Sequence, residues 1–91
     1  MKTYTQETIQ AQLEQLNDWT FKHNSIQKDF QFKNFQEALS FIVRIGILAE
    51  KQNHHPEITN VYNKVSLRLT THDSDGVTEK DVTLAATIDK I

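Results

Sequence analysis

The only proline of this chain, Pro56, closes its most apolar stretch. Asn34 and Glu37 have the spacing of a capping box, so a helix is predicted from Phe35 toward Asn53. Proline disfavours helical geometry in the residue before it, and the helix should therefore stop just ahead of the proline. Apolar side chains lie almost all round this helix. It needs cover on more than one side, from a sheet and from a neighbouring helix or a second subunit.

Two adjacent histidines, His54 and His55, precede that proline, and a third, His72, follows a later strand pattern. A helix C-terminus favours a protonated imidazole, whose free pKa of about 6.5 lies close to neutral, so such a ring can give or take a proton. Glu50 lies four residues before His54, where it could orient that ring. Successive helical residues diverge by about 100°, so the paired histidines should have different roles. We interpret the three as an active site; simple capping of the helix end is the alternative.

The first half of the chain predicts a helix and a hairpin before the long helix. The first helix is capped by Thr5, buries Ile9, Leu13 and Leu16, and ends at Asn17-Asp18. Trp19, Phe21 and His23 alternate with polar residues as in a strand, and His23 is read as an ordinary strand residue. A turn at Asn24-Ser25 then leads to a second strand, with Ile26, Lys28, Phe30 and Phe32 on one face.

The second half of the sequence predicts two strands followed by a last helix. Two strands, from Ile58 and from Val65 to Leu69, are separated by a tight turn at Tyr62-Asn63. A turn at Asp73–Gly76 leads to a last helix, with Thr78 as its cap and Asp81 at N3. The order α, β, β, α, β, β, α predicts an α+β fold: a four-stranded antiparallel sheet with three helices on one face.

Composition narrows the classes of partner. The 91 residues predict a single domain, 1–91, whose small core makes self-association a natural source of stability. A net charge of −2, with both signs interspersed, argues against nucleic acid as a partner. The chain has no cysteine, no apolar run near the roughly 20 residues of a membrane span, and no signal-peptide core. A cytoplasmic protein with no membrane partner is expected.

The segments Glu50-Lys51-x-x-His54-His55-Pro56-Glu57, Asn60-Val61-Tyr62-Asn63-Lys64-Val65 and Thr70-Thr71-His72 resemble those of the pterin-4a-carbinolamine dehydratases. The resemblance implies a small α+β subunit that forms dimers or tetramers and uses no metal or bound cofactor. It also implies a reaction: dehydration of 4a-hydroxytetrahydropterins to quinonoid dihydropterins, which a reductase can recycle. Two positions depart from the usual pattern, with Asn53 in place of an acidic residue and Lys80 in place of an arginine.

The resemblance also implies site residues. They are the three histidines and the substrate contacts from His54 to Pro56 and from Thr71 to Ser74, to which helical spacing adds Glu50 and the expected position of the last helix adds Asp81. The catalytic set is then His54, His55, His72 and Glu50; the substrate-binding set is His54, His55, Pro56, Thr71, His72, Asp73, Ser74, Trp19 and Asp81. Loss of hydroxide from C4a needs an acid at the departing oxygen and a base for the N5 proton, and histidine suits both roles. Our hypothesis is that His54, set by Glu50, and His72 transfer protons, while His55 mainly holds the pterin ring. All three rings should line one hollow.

Three alternatives stay open. Three imidazoles can bind zinc, although adjacent helical histidines diverge and ligand pairs on helices prefer i, i+3 or i, i+4 spacing. A non-catalytic, coactivator-like binding module is the second alternative, with the long apolar helix as its surface. A different pterin-binding activity is the third, because folds and sites are reused.

Overall fold

In the computed structural model, which describes residues 1–91, four strands form one antiparallel sheet. In chain order the elements are α1 (Gln10–Leu13), β1 (Thr20–Lys22), β2 (Ser25–Gln31), α2 (Phe35–Gln52), β3 (Glu57–Val61), β4 (Lys64–Leu69) and α3 (Glu79–Ile88). A 3₁₀ turn, His72–Ser74, separates β4 from α3. The spatial order is β1-β2-β4-β3. The predicted α+β class and element order are confirmed.

The core lies between one face of this sheet and the helices. In the central pair, Ile26 of β2 lies opposite Leu69 of β4, and Phe30 lies opposite Val65. Alternation along each strand sends these side chains to one face. Ala38 and Ile45 of α2 are fully buried, as are Leu84 and Ala85 of α3. No helix combines the length and hydropathy that a bilayer-spanning segment requires.

The first hairpin turns one residue earlier than predicted. His23 and Asn24 have φ values of 52° and 55°, and they separate β1 from β2. A two-residue hairpin turn with positive φ at both central residues matches the twist of its strands. Reading His23 as a strand residue was therefore wrong. The second turn, at Tyr62-Asn63, is where the sequence predicted it.

The first helix is much shorter than predicted, since only Gln10–Leu13 is α-helical. The Thr5 hydroxyl accepts from the Thr8 N–H and the Thr8 hydroxyl from the Thr5 N–H, the reciprocal bonds of a capping box, so Thr5 caps this segment as predicted. After Leu13 the chain tightens, with the Leu16 N–H donating three residues back to the Leu13 carbonyl. The apolar side chains of this segment still face the core, because Ile9 and Leu16 are buried.

Candidate active site

The helix α2 ends in a way that places both adjacent histidines outside it. Asn53 adopts the left-handed conformation, with φ 51° and ψ 42°. Its N–H donates to the Glu50 carbonyl, and the N–H of His54 donates to the Ala49 carbonyl. This pair of bonds is the Schellman motif, in which a left-handed residue satisfies the last carbonyls of a helix. The helix was predicted to reach the histidines, but it stops at Gln52, so the chain through His54 and His55 is not helical.

His54 is held by a carboxylate from another part of the chain. Its Nε2 contacts Oδ1 of Asp81, in the first turn of α3. The side chain of His54 is 12% exposed, and that of Asp81 is fully buried. A carboxylate offers only acceptors, so Nε2 carries the proton and Nδ1 is the ring nitrogen with no bond to a protein group. The sequence assigned Asp81 only to helix capping and substrate binding; its partner is in fact His54.

Two buried threonines complete the surroundings of Asp81. The Thr71 hydroxyl donates to Oδ2 of Asp81 at 2.8 Å, and the Thr78 N–H donates to the same oxygen at 2.9 Å. The hydroxyls of Thr71 and Thr78 lie 2.8 Å apart. No buried side-chain nitrogen or oxygen lacks a partner. This network fixes the direction of the Asp81 carboxylate and thereby the orientation of the His54 ring.

Glu50 was predicted to orient His54, and this was wrong. Its Oε1 lies 2.7 Å from Nε2 of His55, in a pair whose side chains are 79% and 57% exposed. The cause is the helix end, because the left-handed residue Asn53 removes His54 from the helical face that Glu50 occupies. His55 therefore has its own, solvent-exposed carboxylate partner.

His72 lies in a tight loop that starts where β4 ends. Thr71 and Gly76 form an antiparallel bridge, and the Thr71 carbonyl accepts from the Ser74 N–H at 3.0 Å. Asp75 closes the 3₁₀ turn in the left-handed conformation. Within the loop His72 and Asp73 are exposed. The hydroxyl and peptide N–H of Thr71, by contrast, are both bonded to protein groups, so Thr71 does not offer them to a substrate.

A cavity of about 300 Å³ opens beside His54. Its lining residues are Met1, Gln52, His54, Glu79, Lys80 and Thr83. Neither His55 nor His72 is among them, so the prediction that all three rings line one hollow does not hold for this cavity. No site role was predicted from the sequence for Met1, Gln52, Glu79 or Thr83. Position is the signal that could have found two of them: Gln52 is the last residue of α2, and Thr83 lies one turn into α3.

The N-terminal segment packs against the same end of α3. The Tyr4 hydroxyl donates to Oε2 of Glu79 at 2.7 Å, and the Tyr4 N–H donates to the Val77 carbonyl. The bond to Glu79, together with desolvation and the charge of that carboxylate, raises the pKa of the Tyr4 phenol above its ordinary value of 10.0. Glu79, which lines the His54 cavity, is thus tied to the start of the chain.

Trp19 lies away from His54, near the C-terminal end of α3. It is 4% exposed, and its Nε1–H donates to Asp89 at the far end of α3. Asp89 also accepts from Lys28 at 3.0 Å. Eight residues at 1.5 Å each separate Asp89 from Asp81, about 12 Å along the helix. The prediction that Trp19 binds the substrate is not supported, because the indole N–H is bonded to Asp89, at the end of α3 opposite to Asp81. A larger cavity, of about 570 Å³, also lies at that end.

Metal ligands are not grouped in this fold. No set of three or more His, Cys, Asp or Glu side chains is arranged to hold one ion. Among the groups around His54, the one carboxylate that touches it already accepts bonds from two threonines. The arrangement is suited to proton transfer, because a largely buried imidazole is oriented by a buried carboxylate beside a cavity.

Comparison with known proteins finds relatives of this chain. The chain is 46% identical over its whole length to a protein of Christiangramia forsetii, of which it covers 94%, and 42% identical to one of Sulfurisphaera tokodaii, of which it covers 98%. Both relatives carry the name "Putative pterin-4-alpha-carbinolamine dehydratase". The crystal structure of a transcriptional coactivator/pterin dehydratase from Brucella melitensis matches with a TM-score of 0.92 at 34% identity, covering 98% of this chain and 97% of that one.

A more distant structure shares the fold alone. It is a pterin dehydratase-like protein described as a RuBisCO assembly factor in the alpha-carboxysome, with a TM-score of 0.65 at 22% identity, covering 79% of this chain and 83% of that one. The sequence model of the family described as pterin 4 alpha carbinolamine dehydratase matches residues 2–91. The chain therefore belongs to the pterin 4 alpha carbinolamine dehydratase family.

Proposed function

We propose that this protein removes water from 4a-hydroxytetrahydropterins to give quinonoid dihydropterins, a step in tetrahydropterin recycling. The observation that carries the proposal is His54: a largely buried imidazole, bonded through Nε2 to a fully buried aspartate, at the edge of a cavity of about 300 Å³. With Nε2 occupied, Nδ1 is the atom that can exchange a proton with a ligand. Membership of the family supports the substrate class.

In the proposed reaction the C4a–O bond breaks and the C4a–N5 double bond forms. One imidazole donates a proton to the departing hydroxyl, which leaves as water, and another accepts the proton of N5. His54 and His72 take these two roles. A positioned acid or base typically contributes about 10² to 10⁴ in rate. The N5 lone pair forms the new π bond, the C4a–O electron pair leaves with the oxygen, and the N5–H pair stays on N5, so the step needs no oxidant or reductant.

His55 is assigned a binding role. Its ring is exposed and paired with the exposed carboxylate of Glu50, which favours a hydrogen-bonding contact over proton transfer to a buried atom. Pro56 follows it directly, and Asp73 and Ser74 follow His72 in the neighbouring loop. These residues form the proposed rim around a pterin ring. Thr71 is excluded from the rim because its polar atoms are already engaged.

The assay is the decay of enzymatically generated 4a-hydroxytetrahydropterin, followed by absorbance with and without the protein. Wild-type protein should accelerate the decay. His54→Ala and His72→Ala should lose turnover, whereas His55→Ala should act mostly on KM. Unchanged turnover in all three variants would defeat the proposal.

A second function, self-association, is favoured by the outer face of α2. Four apolar side chains spaced four residues apart remain 42–62% exposed on one face: Phe35, Leu39, Val43 and Ile47. An apolar stripe of this length is unusual on a chain that acts alone. We assign it to contact with further copies of this chain, in a dimer or tetramer. A coactivator-like contact with a foreign helix is the alternative occupant of the same stripe.

A further inference from the structure

Thr71 bonds to the groups that position both proposed proton-transfer residues, His54 and His72. Its side chain bonds to Asp81, which holds His54. Its backbone carbonyl accepts from Ser74 and so closes the turn that carries His72. It is 7% exposed, within a cluster where Thr78 and Asp81 are fully buried. The family resemblance implied a substrate contact for Thr71, whereas its hydroxyl and peptide N–H bond to other protein groups.

The hydrogen atoms of this network can be assigned in one direction. The Thr71 hydroxyl has a single proton, and the carboxylate of Asp81 has only acceptors, so that proton points to Oδ2 of Asp81. The Thr78 hydroxyl must then donate to Thr71. The Thr78 oxygen is left to accept the N–H of Lys80. The order is therefore Thr78 to Thr71 to Asp81, with the His54 Nε2–H as the other donor to the carboxylate.

We infer that Thr71 is a positioning residue: its hydroxyl holds the Asp81 carboxylate in the orientation that fixes the Nε2–H tautomer of His54 and leaves Nδ1 for the substrate. The expected change in kcat rests on the proposed function, whereas the expected change in the His54 tautomer does not. Without the hydroxyl, Oδ2 of Asp81 keeps only the Thr78 N–H. A buried carboxylate that has lost a donor turns toward other donors, and its contact with His54 weakens.

The test compares Thr71→Val, which keeps the branched shape and removes the hydroxyl, with Thr71→Ser, which keeps the hydroxyl. Thr70→Val is the matched control. Thr70 is the adjacent threonine, but its hydroxyl donates to the Asn24 carbonyl, away from the network. All three variants are measured as the full chain.

The first readout needs no substrate. Long-range proton–nitrogen NMR at a pH where the ring is neutral should show His54 as a single Nε2–H tautomer in the wild type, in Thr71→Ser and in Thr70→Val. In Thr71→Val a second tautomer should appear or the Nε2 proton should exchange rapidly. A wild-type His54 protonated on Nδ1, or a tautomer unchanged in Thr71→Val, overturns the inference.

The second readout is the dehydration assay. Thr71→Val should lower kcat about tenfold, part of the 10² to 10⁴ that a positioned acid or base provides, with KM unchanged. Thr71→Ser should recover the wild-type kcat, and Thr70→Val should keep it. A loss of kcat of about tenfold in Thr71→Ser overturns the inference, because this variant keeps the hydroxyl. That outcome decides the role of Thr71 even if Thr71→Val does not fold. If the wild type shows no turnover, the proposed function fails while the NMR result still decides the role of Thr71.

Discussion

Asp81 accepts the Nε2–H of His54 on one carboxylate oxygen and completes the N-terminal capping box of its own helix, α3, with the other. These two residues are 27 positions apart in the chain. The same side chain therefore fixes where α3 begins and how the histidine after α2 is oriented. Because the carboxylate is fully buried, water cannot replace either contact.

Glu50→Gln should have little effect on catalysis or stability. The Glu50–His55 pair is exposed on both sides, and exposed ion pairs contribute about 0–1 kcal/mol to the free energy of unfolding. We expect kcat to stay at the wild-type value, with any change confined to KM through His55. A large loss of kcat would restore Glu50 as the partner of the proton-transfer residue.

Trp19→Phe should destabilise the fold and leave turnover intact. The variant removes the indole N–H from Asp89, and losing one partner of a buried acceptor costs about 1–3 kcal/mol. Urea unfolding gives the change in stability, and the dehydration assay gives kcat and KM. A raised KM in a protein that remains folded would return Trp19 to the substrate site.

Val43→Glu should dissociate the assembly that we assign to the outer face of α2. Val43 is 62% exposed in the middle of the apolar stripe, so a single chain should tolerate the charge there. Light scattering after gel filtration should change from the mass of two or four chains to that of one. Ser40→Glu adds the same charge to an exposed position of the same helix outside the stripe, and should leave the mass unchanged. A wild-type protein that runs as a single chain would contradict the assignment.

The Tyr4–Glu79 bond should make stability depend on pH in the alkaline range. The phenol donates only while it is protonated, and its pKa is raised mainly by that bond. The stabilisation is therefore complete below the unfolded pKa of 10.0 and is lost as pH rises through the higher folded value.

Tyr62→Phe leaves Tyr4 as the only tyrosine, so its ultraviolet titration reports Tyr4 alone. In that background, adding Glu79→Ala should bring the titration midpoint down toward 10.0. A midpoint that does not move when Glu79 is removed would show that the bond is absent in solution.

Much of the fold follows from local sequence rules. The capping pairs Asn34 with Glu37 and Thr78 with Asp81 predicted the starts of α2 and α3, because both caps are made within three residues. The alternation of Val65, Leu67 and Leu69 predicted β4 and its buried face. These signals depend on neighbours in the chain, which a sequence displays directly.

The details of the site depend on contacts that the sequence does not display. Proline was expected to end α2, but Asn53 ends it earlier by adopting the left-handed conformation, and this moved His54 out of reach of Glu50. The sequence placed Asp81 near the histidines, as a helix cap and a substrate contact, but it did not predict that the carboxylate holds His54. Trp19 was placed at the site by resemblance alone, and packing against Asp89 puts it at the other end of α3.

The central claim is that Asp81 makes His54 the proton-transfer residue of pterin dehydration, and kcat of Asp81→Asn measures this most directly. Asp89→Asn is the matched control, since Asp89 is a similarly enclosed aspartate at the other end of α3 that accepts from Asn17, Trp19 and Lys28. We predict that Asp81→Asn lowers kcat by about 10² or more, while Asp89→Asn loses stability and keeps kcat. Wild-type kcat in folded Asp81→Asn would contradict the account.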